Sequence, residues 1–246
     1  DVTEFARALT GWTVDGIGPA GRADGGNPDD FIFRPPLHEP GPRTILGRTY
    51  GQPGEAQARA VLADFARAPQ TASHIATKLA RHFAGDDPPA ALVGRLAASF
   101  RSSGGDLPAL YRTLIDSPEP WGPARKFKSP WEWTISSLRA LGARAPARMQ
   151  MAAVLNQLGQ PVWKPGSPAG WDDTAAAWAG PDALLRRVEL AQRLAAAVGD
   201  RLDARALLPR VMPDAFDPHT ASEIGRAESP AAALALLLVS PDFLRR

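Results

Sequence analysis

Phe31-Ile-Phe-Arg-Pro-Pro-Leu-His-Glu-Pro-Gly-Pro-Arg-Thr-Ile-Leu-Gly47 interrupts a chain whose other long segments carry helical periodicity. The runs Phe31-Ile-Phe33 and Thr44-Ile-Leu46 are short and β-prone, and their spacing predicts that they pair with each other as a hairpin. The Pro35 to Pro42 connection then carries His38 and Glu39 at its tip, with Arg43 and Thr44 following. Upstream, Val2, Phe5 and Leu9 have helical spacing and Gly11 is a stop signal, while residues 13 to 30 are rich in Gly, Asp and Pro and read as a loop.

From residue 55 onward the pattern is helical. Ala72, Ile75, Ala76, Leu79 and Phe83 form one face of a helix whose other face carries His74, Lys78, Arg81 and His82. Asp87 with Pro88 predicts the start of the next helix, which buries Leu92, Val93, Leu96, Ala97 and Phe100. Asp106 is the expected cap of a third, with Leu107, Leu110, Tyr111 and Leu114. Ser129-Pro130-Trp131-Glu132 fits a capping box that opens a helix to Leu141. Further helices are expected near 147–158, 173–179, 181–198, 203–211 and 229–239. Gln160 to Asp173, with three prolines and two tryptophans, reads as irregular. No composition shift marks a boundary. The fold class expected is therefore mainly α, a single irregular helical domain over 1–246 with a small two-stranded β-hairpin.

Composition narrows the function classes. The 28 Lys+Arg against 26 Asp+Glu leave a net charge of only +2, so nucleic acid is not implied as a partner. Cysteine is absent, which removes disulfides, thiolate catalysis and Cys-ligated metal centres from the chain. The four histidines lack the i, i+4 spacing of a helical zinc site, and no metal or cofactor is expected. The longest apolar run, Ala231 to Val239, is far short of the ~20 residues a membrane span requires, so no transmembrane segment is expected. Gly16-Ile-Gly-Pro-Ala-Gly21 matches the dinucleotide fingerprint in letters, but lacks the preceding strand and following helix that the chemistry needs.

Two places bring polar side chains together. At the first, His38, Glu39, Arg43 and Thr44 place an imidazole, a carboxylate and a guanidinium in one turn, suited either to acid/base work on an anchored substrate or to holding the turn together. At the second, Lys126 and Lys128 precede the Ser129 cap, where helix N–H groups also favour anions; the alternative is that these lysines are exposed or pair with Asp116 and Glu119. Trp131 and Trp133 cannot share a helical face, so one of them leaves the core, while Trp12 and Trp171 each follow a glycine at a loop edge, where an aromatic can stack on a sugar ring or cap a helical core. Asp172-Asp173 reads as a helix cap, and no catalytic residue can be named.

With these residues in view, the chain resembles a large bacterial family, domain of unknown function 1800. The resemblance rests on Phe5-Ala-Arg-Ala-Leu-Thr-Gly-Trp12, Phe31-x-Phe33, His38-x-x-Gly41-x-Arg43-Thr44-x-Leu46-Gly47, Lys126-x-Lys128-x-Pro130, Gly170-Trp171 and Ser240-Pro241-Asp242-Phe243. The family usually has His-Asp-x-Gly-x-Lys-Thr at the turn. Glu39 and Arg43 replace the acid and the lysine here, which favours anchoring over proton transfer. The resemblance implies that the chain corresponds to the C-terminal half of a longer family domain, whose Asn/Arg/Glu/His-rich segment lies upstream of Asp1. It also implies a periplasmic or secreted location, and a protein of the domain of unknown function 1501 family as a partner, since the two are often encoded together. The expected function is binding of an anionic or glycan envelope ligand, or of a protein partner, through the two polar segments. The alternative is a hydrolase or transferase completed by the upstream half.

Overall fold

The computed structural model describes residues 1–16, 30–122, 126–143, 150–212 and 216–246. Among them are twelve α-helices and two two-stranded antiparallel sheets, so the fold is mainly α. The backbone forms two compact units, one of Asp1–Ala76 with Val93–Thr113 and one of Thr77–Leu92 with Leu114–Arg246. Apart from Gly16, the glycine fingerprint lies outside the described residues, as does Arg125.

In the first unit, α1 (Val2–Ala8) ends before Gly11, and β1 (Trp12–Val14) follows immediately. β1 pairs with β2 (Phe31–Phe33), Trp12 opposite Phe33, and β3 (Arg43–Ile45) pairs with β4 (Arg48–Tyr50), Arg43 opposite Tyr50. The two β-prone runs of the opening stretch therefore exist, but each pairs with a neighbour outside it instead of with the other. The reason lies in Leu46-Gly47: both residues have positive φ, 49° and 75°, the left-handed pair that closes a two-residue hairpin. That turn supplies Thr44-Ile45 with a local partner at little loop-closure cost. Phe31–Phe33 is left to β1, a strand that the loop reading of residues 13 to 30 passed over.

Gly11 makes the second pairing possible. Its φ is +87°, and a Cβ there would lie 2.7 Å from the Phe33 ring and 3.1 Å from His38 Cβ. The Gly11 carbonyl accepts from Arg34 N–H at 2.8 Å, so the start of the His38 turn is fastened directly to the end of α1. Ile45 and Tyr50, on the inward face of the hairpin, pack with Ala8, Ala58 and Val61, the last two from α2 (Glu55–Arg67). The buried Gln57 donates to the carbonyls of Gly41 and Tyr50, tying the turn and β4 to α2.

α3 (Pro69–Ala84), α4 (Ala90–Ser102) and α5 (Leu107–Ile115) each contribute residues to both units. α3 buries Ala72, Ala76, Ala80 and Ala84 at i, i+4 intervals, while Phe83 is 46% exposed, so the buried line is rotated away from the face expected. α4 begins after Pro89, two residues later than the Asp87 signal suggests, and buries the stripe expected of it except that Val93 is only half-buried. Asp106 does cap α5, accepting from Ala109 N–H at 3.0 Å.

In the second unit, α6 (Pro130–Ala140) opens on the expected capping box, Ser129 and Glu132 each bonding the other's backbone N–H. α7 (Met151–Gln157), α8 (Ala175–Trp178), α9 (Pro181–Val198), α10 (Ala204–Val211), α11 (Pro218–Arg226) and α12 (Pro230–Val239) follow. Of these only α11 was not expected. Its signal was present as Asp217-Pro218, with the Asp217 carboxylate accepting from His219 N–H. Residues 158–174 carry no regular element, as the prolines indicate. The core gathers Trp133, Leu190, Leu194, Leu234, Leu237 and Phe243, and Trp133 donates its indole N–H to the Leu238 carbonyl. The stretch before α6 is fastened to the last residues of the chain. Lys126 and Arg246 exchange backbone hydrogen bonds, and Lys128 N–H donates to Leu244 C=O.

Candidate functional site

The first polar cluster is assembled inside the first unit. His38 Nδ1 lies 3.0 Å from the Thr10 carbonyl, which can only accept, so Nδ1 carries the proton and Nε2 keeps its lone pair. The ring rests edge-on against Phe33 at 5.5 Å. Thr10 Oγ1 donates to Arg7 C=O and accepts from Glu39 N–H, which fixes the backbone on both sides of the imidazole. Arg43 donates to the carbonyls of Glu39 and Pro40 and pairs with the carboxylates of Glu39 at 3.3 Å and Glu4 at 3.5 Å. Arg7 pairs with the same two acids. Thr44 points to the other face of β3, where its hydroxyl meets that of Thr49 at 3.0 Å. Two guanidiniums thus face two carboxylates, but Arg43 Nε is buried without a hydrogen-bond partner, and His38 Nε2 has none among the described residues.

The second cluster lies in the second unit and divides at Phe127. Lys126, only 3% exposed, forms ion pairs with Asp86 at 2.6 Å and Asp173 at 3.2 Å, and also donates to the Asp173 carbonyl. Asp173 is therefore the counter-ion of a buried ammonium and not the helix cap expected of it. Burial alone would raise the Asp86 carboxyl, but the hydrogen bond from Lys126 and that from Ala175 N–H hold it below the ordinary carboxylate range. Asp173 is lowered in the same way, against its burial, by His82 and Lys126. His82 Nδ1 sits 2.9 Å from Asp173, and its Nε2 lies 3.3 Å from the Arg246 guanidinium.

On the other side of Phe127, positive charge is in excess. Lys128 donates to Phe243 C=O at 2.7 Å and lies 4.2 Å from the centre of that ring. Arg187 is 1% exposed, stacked on Phe127 at 4.7 Å, with Nη2 donating to Lys128 C=O. Its Nη1 has no hydrogen-bond partner. Neither Lys128 nor Arg187 has a carboxylate within ion-pair distance among the described residues. Arg246 does, in Glu132 at 2.7 Å. Burial lowers the Lys128 ammonium to about 8, Glu132 opposing the shift while Arg187 and Arg246 add to it. Burial likewise lowers Arg187 to about 10, with Glu132 opposing. Of these three cations only Arg246 pairs with a carboxylate, that of Glu132, among the described residues.

The backbone N–H groups at the start of α6 do not join this cluster. Glu132 takes that of Ser129, Ser129 those of Glu132 and Trp133, and the Gln160 side chain that of Trp131. Trp131 itself is 50% exposed, whereas Trp133 is fully buried. A groove of about 560 Å³ runs between α9 and α12 and contains none of these residues. Among the described residues no group of three His, Asp or Glu is arranged to hold a metal, and no helix is long and apolar enough to cross a membrane.

The Ser129 capping box is present as the sequence indicates. The sequence could not bring Arg187 to Lys128, or assign Asp86 and Asp173 to Lys126, because these partners lie 40 to 59 residues away along the chain. Compared with known proteins, residues 1–245 match the family model described as protein of unknown function (DUF1800). No curated protein matches the chain, and neither does any solved structure.

Proposed function

Because the chain belongs to the DUF1800 family, whose description names no reaction, we propose its function from the site itself: it binds an anionic ligand through Lys128 and Arg246, with Arg187 behind them. The observation that carries this reading is that Lys128 and Arg187 have no carboxylate in ion-pair reach among the described residues, Arg246 pairs with Glu132, and Arg187 Nη1 is left unpartnered in the interior. Buried cations without counter-ions are costly, and a bound anion relieves that cost. We place the chain in the periplasm or outside the cell, as the C-terminal half of a longer family domain, with a glycan of the envelope as ligand or a member of family 1501 as partner; these points rest on the resemblance.

The test is calorimetric titration with inorganic phosphate and with a polyuronate oligosaccharide. Lys128→Gln together with Arg246→Gln should weaken binding by about tenfold to a hundredfold, the loss expected for charge-assisted hydrogen bonds. Unchanged affinity would remove the proposal. Since Lys128 titrates at about 8, affinity should fall as pH rises from 7 to 9, and Lys128→Arg should flatten that fall.

One observation favours a second reading, a hydrolase or transferase using His38. Its Nδ1 is held by the Thr10 carbonyl, which leaves Nε2 oriented as an acid or base. Turnover by the full-length protein that His38→Ala abolishes would establish it; a substrate screen without turnover would not sustain it.

A further inference from the structure

We propose that the indoles of Trp131 and Trp163 form a stacking platform for the rings of an acidic polysaccharide, whose carboxylates reach Lys128 and Arg246. This deepens the anion-binding reading above and rests on it. Trp163 is 97% exposed and Trp131 50% exposed, so neither ring gives the fold the burial that usually keeps a tryptophan in place. Trp163 also has φ 56°, a left-handed conformation that bulky residues rarely adopt. A strained backbone that holds an indole out in water contributes nothing to packing, and such strain concentrates at ligand clamps.

The two rings are linked through the backbone. Gln160 Oε1 accepts from Trp131 N–H at 2.8 Å, which sets the turn after Gln160 against the start of α6. Lys164 N–H closes that turn on the Pro161 carbonyl. Three residues span at most about 11 Å, so Trp163 stays within that reach of Gln160. Lys128 lies three positions before Trp131 on the same approach to α6.

The surroundings favour a sugar over the other surfaces an indole can meet. On α6 only Trp131 and Arg139 are exposed, so no apolar stripe continues along the helix, and beside Trp163 in the chain the exposed large hydrophobic surface is limited to the neighbouring Val162. What remains is two exposed indoles tied to one another through Gln160, on a helix whose approach carries Lys128 and whose Glu132 holds Arg246. A uronate chain matches that pattern: its rings present C–H faces, its hydroxyls meet the amide, and its carboxylates meet the ammonium and guanidinium groups.

The experiment titrates the protein with a polyuronate oligosaccharide and, separately, with inorganic phosphate. Trp163→Ala and Trp131→Ala leave the backbone bond to Gln160 in place, and circular dichroism checks that both fold. Each should weaken polyuronate binding about tenfold and leave phosphate binding unchanged. The variant carrying both Lys128→Gln and Arg246→Gln should bind both ligands about tenfold to a hundredfold more weakly. If the tryptophan variants bind polyuronate like the parent while that cation variant does not, the platform is overturned and the anion site stands. If neither ligand binds the parent protein, both readings fall. Binding to phosphatidylglycerol vesicles that needs Trp163, without polyuronate binding, would overturn the sugar assignment in favour of a lipid surface.

Discussion

The two polar clusters differ in how their charges are balanced. Around His38, Arg7 and Arg43 share Glu4 and Glu39, and both acids keep substantial contact with water. Around α6, Lys126 is buried and takes two acids to itself, while the half-buried Lys128 and the buried Arg187 have none in ion-pair reach among the described residues. Arg43 is itself largely buried with Nε unpartnered, but its charge is matched by two carboxylates in contact with water and its donors close the turn, so the first cluster is explained by the turn it holds. Unmatched buried cations are not explained by stability, which is why the second cluster carries the functional proposal.

The sharpest way to break this comparison is to remove one cation from each cluster. Lys126→Met leaves Asp86 and Asp173 without their partner and should cost about 3 kcal/mol, near the low end for a broken buried pair because both carboxylates touch water. Arg43→Met should cost about 1 kcal/mol. Urea unfolding, with amide exchange at Lys126 and Lys128 against Ile45 and Tyr50 to separate the units, reads both. Equal losses would mean that burial does not distinguish the clusters.

Acid provides a second probe. Asp86 and Asp173 are lowered in the folded protein, so the stability they contribute is fully present above the ordinary carboxylate range near pH 4 and is lost as pH falls through their lowered values. Stability should therefore decline from pH 5 to pH 3, and Lys126→Met should make the decline shallower. A decline of unchanged steepness would place the acid-sensitive groups elsewhere. The smallest effect belongs to the first unit, where Leu46→Asn puts a residue suited to φ 49° into the β3–β4 turn. It should raise stability by about 0.5–1 kcal/mol, measured as a higher Tm.

What the sequence made legible was local. Period and caps located α6, α9 and α12, and the Ser129 box was readable because cap and acid sit three residues apart. The strand-prone runs were also visible, but their partners were not. The choice between pairing Phe31–Phe33 with Thr44–Leu46 or with Trp12–Val14 depended on a left-handed Leu46, a residue type that does not announce that conformation. In the same way, Lys126 and Lys128 look equivalent two residues apart, yet one meets Asp86 and Asp173 and the other a carbonyl and a ring. Long-range packing decided that difference.

The interlocking of residues 126–128 with 244–246 also bears on the order of events during synthesis. The Lys128 amine and the Phe243 carbonyl it meets are 115 residues apart, so the loop they close takes in α6 through α12. Closing so long a loop is slow relative to forming helices. The second unit can therefore assemble its cation set only after Arg246 has left the ribosome, whereas the hairpin at Leu46-Gly47 can form before α2 to α12 have been made.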